Sequence, residues 1–147
     1  MRSLGAHARI AAAGVGIAAL SLLLPWYGVT FAGGLVKTAL GSFGFVEAAM
    51  VISLAAAAYL IVRSDRGDPL PRPLHSGTLI AVAGVWLAVL IGYRMLDRPD
   101  FGPFDAGRVG LRFGIFIALV GTVLIVIGGV RMRREELAAE ASTRAGG

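Results

Sequence analysis

The chain has 147 residues, a formal net charge of +5, a pI of about 10.7 and a mean hydropathy of +0.77, with 56% of residues hydrophobic. That composition leaves too little polar sequence to cover a soluble core of this length. The absence of Cys and Asn excludes disulfides, thiolate metal sites and N-glycosylation, and no basic stripe with interleaved aromatics supports nucleic-acid binding.

A helix needs about 20 apolar residues to cross the hydrocarbon core of a bilayer. Four apolar runs meet that length, and they predict helices over 8–27, 43–62, 76–95 and 113–130. Arg2 and Arg9 precede the first run, as in a signal peptide. Leu24-Pro25-Trp26-Tyr27 follows it in place of a small-x-small cleavage site, so the first helix is expected to stay uncleaved. Residues 28–42 read as a Gly-rich, nearly uncharged outer loop. Residues 63–75 read as a tight inner linker broken by Pro69, Pro71 and Pro73. Residues 96–111 read as a second outer loop. The tail, residues 131–147, begins as a charged helical extension and is expected to fray near its end.

The second pair of runs resembles the first. Residues 10–20 align with residues 80–90 at an offset of 70, with seven of eleven positions identical. The same offset lays Phe43-Gly44 on Phe113-Gly114 and Arg63 on Arg133. The expected fold class is an all-α membrane protein, a single domain over 1–147. It is a four-transmembrane-helix bundle made of two tandem helical hairpins, a parallel internal repeat about an axis along the bilayer normal.

Nine of the fourteen basic residues fall on the side holding both termini and the central linker, and five on the other. The Lys/Arg bias therefore places both termini in the cytoplasm and the chain in the plasma (inner) membrane.

Gly107, Gly114, Gly121 and Gly128 recur every seven residues. Residues seven apart lie nearly on one helix face, so these glycines are expected to let another helix approach closely. Trp26, Tyr27 and Tyr93 are expected to be interfacial aromatic anchors. Trp86 is expected to pack in the bundle or face lipid. Ser53 and Tyr59 are candidates for hydrogen bonds between helices. His7 and His75 fall at the inner interface with no companion ligands, so no metal site is expected.

Glu47 is the most unusual residue. An acid at membrane depth costs on the order of 2.5–3.5 kcal/mol unless it finds protein or water. Arg94 and Arg112 fall at matching depth, so Glu47, Arg94 and Arg112 form a candidate polar cluster near the outer face. The sequence carries no nucleophile with a base, no carboxylate dyad and no phosphate loop. No catalytic residues and no cofactor are expected.

Leu24-Pro25-Trp26-Tyr27 after the first run, Gly44-Phe45 before the second, Arg94…Asp97 after the third and Arg131-Met-Arg-Arg134 after the Gly-rich fourth make a pattern over nearly the whole chain. It resembles uncharacterised four-helix membrane proteins of actinobacteria, a resemblance that implies a fold but no activity. The excess of Arg over Lys and the Ala, Gly and Val content accord with such a genome. Small multidrug-resistance transporters have a glutamate in their first helix, and this chain has none there. Claudin-like proteins need a larger outer domain than residues 28–42 can form. The functional expectation is a non-enzymatic structural or accessory membrane protein, with the lipid bilayer and a second copy or another membrane protein as partners. The alternative is a small oligomeric transporter or channel subunit using Glu47.

Overall fold

A computed structural model describes residues 5–29, 36–42, 44–67, 74–97 and 109–145. It contains four helices: α1 (Ala6–Ser21), α2 (Phe45–Arg66), α3 (Ser76–Leu96) and α4 (Phe113–Ala145). Three short strands, β1 (Pro25–Val29), β2 (Val36–Thr38) and β3 (Val109–Leu111), accompany them. A 3-10 turn over Leu40–Ser42 leads towards α2.

Helices α2, α3 and α4 are long and apolar enough to cross a membrane, whereas α1 is a shorter apolar helix of 16 residues. At 1.5 Å per residue α1 spans roughly 24 Å, less than the core thickness of about 30 Å. The expected first helix over 8–27 is thus corrected. Pro25 lacks an N–H and biases Leu24 away from helical geometry, and the chain turns extended at Pro25. The Trp26 indole Nε1 closes the helix end by donating to the Ser21 carbonyl at 2.7 Å, which also accepts the Leu24 N–H at 3.0 Å.

Helix α2 runs four residues past its expected end, to Arg66. Gly67 stops it in the left-handed region, φ 74°, with its N–H on the Ser64 carbonyl at 3.2 Å; glycine adopts that geometry without a Cβ penalty. The charged tail is continuous with the fourth helix. Nothing between Val130 and Ala145 breaks the ladder, and α4 runs 33 residues.

The sheet was not expected from the sequence. Its order is β2-β1-β3, all antiparallel. Tyr27 pairs with Lys37 on one side and Leu111 on the other, and a register irregularity lies between Pro25 and Tyr27. The Arg112 N–H extends the ladder to the Trp26 carbonyl at 2.8 Å. The sheet thus ties together the end of α1, the approach to α2 and the start of α4.

Helix α4 is central and packs along both α1 and α3. A Cβ on Gly128 would lie 2.7 Å from the Ala11 backbone nitrogen, and one on Gly121 would lie 2.7 Å from that of Ala18. One on Gly114 would lie 2.7 Å from the Pro25 carbonyl oxygen. The heptad glycines therefore seat α1 and the start of β1. Gly107 lies outside the described residues. Gly129, one position round the helix, faces Gly77 and Ala81 of α3 instead.

This packing does not follow the expected two-hairpin repeat. A two-fold axis exchanging the hairpins would turn Gly84 towards α2, as Gly14 turns towards α4. A Cβ on Gly84 would instead meet Val126 and Ile125 of α4. The physical reason lies in composition: α4 has glycines on two faces, and α2 has none. Only α4 admits a close backbone on both sides.

Candidate functional site

Glu47 sits in the first turn of α2 and is wholly buried. The apolar positions Met50, Leu54, Ala57 and Ile61, also buried, repeat at helical spacing on the same side. The face that brings the core together thus carries the acid inward. At that position the carboxylate also meets the positive end of the helix dipole.

Each carboxylate oxygen is occupied. Arg94 Nε donates to Oε1 at 2.6 Å and Arg94 NH2 to Oε2 at 2.8 Å. The Gly44 N–H donates to Oε2 at 2.9 Å, one half of a capping box. The two arginine bonds form a parallel fork, the strongest arrangement for this pair. The pair joins the beginning of α2 to the end of α3. The Arg94 side chain retains 12% exposure against 1% for that of Glu47. On its open side Arg94 NH1 lies 3.6 Å from Asp97 Oδ2.

Tyr27 completes the arrangement. Its hydroxyl donates to the Arg94 carbonyl at 3.0 Å, fastening the central strand to the end of α3. Ser21, also buried, donates to the Ala18 carbonyl at 2.6 Å. Glu47, Arg94, Tyr27, Trp26 and Ser21 thus form one connected plug where the helices meet the sheet.

Arg112 does not join Glu47. Its side chain is exposed and lies against Gly28, where a Cβ would strike the guanidinium. The backbone bond to Trp26 fixes residue 112 on the sheet, away from the α2–α3 seam. The expected anchoring role of Trp26 and Tyr27 is corrected as well. Both are fully buried, because the chain turns extended at Pro25 and makes them part of the central strand of the sheet, which packs into the core. Tyr93 is half exposed on the outside of α3, and Trp86 faces outward. The Ser53 hydroxyl bonds within its own helix, to the Ala49 carbonyl at 2.7 Å, and Tyr59 is exposed.

A second polar layer lies at the opposite end of the bundle. His7 Nε2 lies 3.2 Å from Glu135 Oε1, and His75 Nε2 lies 3.5 Å from Glu140 Oε1. The Gly77 N–H points at both oxygens of Glu136 at 3.4 Å. The charged extension of α4 therefore reaches the N-termini of both α1 and α3. A cavity of about 220 Å³ opens there, with Asp65, Glu135 and Glu136 in its wall. Among the described residues no group of three His, Cys, Asp or Glu is placed to hold a metal ion. Sequence reasoning missed this layer, although Glu135, Glu136 and Glu140 at helical spacing were a legible signal.

No protein-family model matches the chain, and no curated protein matches it significantly.

Proposed function

We propose that the chain is a non-enzymatic, multi-pass protein of the plasma membrane with a structural or accessory role towards lipid or protein partners. The observation that carries this reading is the saturation of Glu47. It accepts three hydrogen bonds, two of them from a permanently charged guanidinium, and it is sealed from solvent. A carboxylate that carries protons or cations must exchange its partners and meet water. This one is held as a clamp instead.

In this reading α1 and the turn after it make a fourth crossing: α1 packs on Gly128 and Gly121 of α4, and residues 24–26 continue along α4 to Gly114. Both termini then lie in the cytoplasm, on the side with nine of the fourteen basic residues. Single cysteines at Gly34 and Ser142 test the orientation. An impermeant thiol reagent added to intact cells is expected to label Gly34→Cys and spare Ser142→Cys. The reverse pattern would invert the topology.

The transporter alternative retains one supporting observation, a buried acid inside an apolar helix. Proton and dye flux into proteoliposomes distinguishes the two. Wild type and Glu47→Gln are expected to leak no faster than protein-free vesicles. A wild-type flux that vanishes in a still-folded Glu47→Gln variant would overturn the structural reading and establish transport.

A further inference from the structure

A groove runs along the outside of the α3–α4 seam. The two backbones meet closely at Gly77 and Gly129, and at Gly84. Outward of that contact the side chains splay. They leave two connected depressions of about 360 and 380 Å³ that share Val85, Val89 and Val126. The walls are almost wholly apolar, with Val82, Trp86 and Val130 among them. At one end the lining turns polar, with Thr78 and Arg133.

We propose that this groove holds one acyl chain of an anionic phospholipid of the inner leaflet, with Arg133 on its phosphate. The inference rests on the membrane-spanning reading given above. Dimension and charge carry it. From Thr78 to Val89 the groove follows eleven residue steps of α3, roughly 16 Å at 1.5 Å per step. Half of a hydrocarbon core about 30 Å thick is about 15 Å. The groove therefore has the depth of a single leaflet, and Trp86, at the middle of α3, stands where a lipid tail ends. The cation stands where its headgroup begins. Arg133 makes no ion pair among the described residues. Of the two acids that follow it on α4, Glu135 lies beside His7 and Glu136 receives the Gly77 N–H. Arg134, four residues after Val130, lies on the same side of α4 and adds to the attraction. A guanidinium suits a phosphate in both planarity and charge.

Trp86 reports on the groove directly. Trp26 is fully buried while Trp86 is 52% exposed, so lipids brominated on the acyl chain will quench the second and spare the first. The full-length protein is reconstituted in phosphatidylcholine vesicles doped with either brominated phosphatidylglycerol or brominated phosphatidylcholine. Trp86→Phe sets the background. The anionic lipid is expected to occupy the site about five-fold in preference, the factor that corresponds to roughly 1 kcal/mol for one arginine near an anionic surface.

In Arg133→Gln that preference should fall to about one, with quenching by phosphatidylcholine unchanged. Arg131→Gln removes the same charge at the same depth but about 200° round the helix, and it should retain the preference. Equal quenching by both lipids in the wild type would overturn the proposal, as would equal losses in the two arginine variants. Trp86 screened from both lipids in a protein that floats with vesicles after an alkaline wash would mean that a second copy covers the groove. A protein that fails to float would instead refute the membrane reading itself.

Discussion

Replacing Glu47 with alanine is expected to destabilise the protein by about 3–5 kcal/mol, because it removes the forked carboxylate partner of a largely buried guanidinium. Arg94 is held by Glu47 on two nitrogens, and its NH1 lies 3.6 Å from Oδ2 of the exposed Asp97. The Arg94 and Glu47 side chains are 12% and 1% exposed, so solvent screens the pair only weakly. Glu47→Gln should be milder, since the amide oxygen still accepts a bond from arginine or from Gly44. Arg94→Lys should be harsher than its charge suggests, since an ammonium cannot make the two parallel bonds of the fork. Removing both charges in Glu47→Met with Arg94→Met should recover most of the loss, as apolar replacement of a buried pair is often neutral. Unfolding in detergent, read across the four corners of this cycle, gives the coupling. Arg112→Gln should change stability by no more than about 0.5 kcal/mol, the range of an ordinary surface substitution. A Glu47→Ala cost near that of Arg112→Gln would refute the clamp.

The four helices were legible because long apolar runs mark their own place, and all four start within two residues of expectation. The sheet was not. Its strands have three to five residues, too short to show an alternating pattern, and glycine interrupts two of them. The same blindness misplaced Trp26 and Tyr27. Aromatics after an apolar run look alike whether the chain leaves the membrane there or folds back into the core, and only the consequence of Pro25 separates the two.

Glu47 was legible in kind, since an acid in an apolar segment requires a partner. Its choice of Arg94 over Arg112 was not. Depth along a helix follows from counting residues, but position around a bundle follows from which helices neighbour each other. That in turn depends on glycine. The central place of α4 comes from glycines on two of its faces, and it carries α1 on one and α3 on the other. Helix α2, without glycine, meets the bundle more loosely along most of its length and is fixed at its start by the Glu47–Arg94 fork. The electrostatic clamp thus stands where close backbone packing is lacking.

That division makes the glycine faces of α4 the second sensitive feature. In Gly121→Ala the new methyl would lie 2.7 Å from the Ala18 nitrogen, 2.8 Å from the Gly14 carbonyl oxygen and 2.9 Å from the Ala18 Cβ. None of these belongs to the far end of a flexible side chain, so relief requires α1 to move as a body. Overpacking of this kind costs about 1–3 kcal/mol, and the gain of up to about 1 kcal/mol from replacing a helical glycine by alanine does not offset it. Gly121→Leu should cost more and detach α1 from α4. Gly16 supplies the matched control, because a Cβ there meets nothing within 4 Å. Gly16→Ala should therefore be neutral or slightly stabilising, although Gly16 lies only two residues from Gly14. Gly129→Ala tests the other face: its methyl would press on the Ala81 backbone and the Gly77 carbonyl, loosening α3 rather than α1. Thermal unfolding in detergent should rank Gly16→Ala above wild type or level with it, and both Gly121→Ala and Gly129→Ala clearly below. If Gly121→Ala melts with Gly16→Ala, the α1–α4 approach is looser than described, and the central place of α4 must be given up.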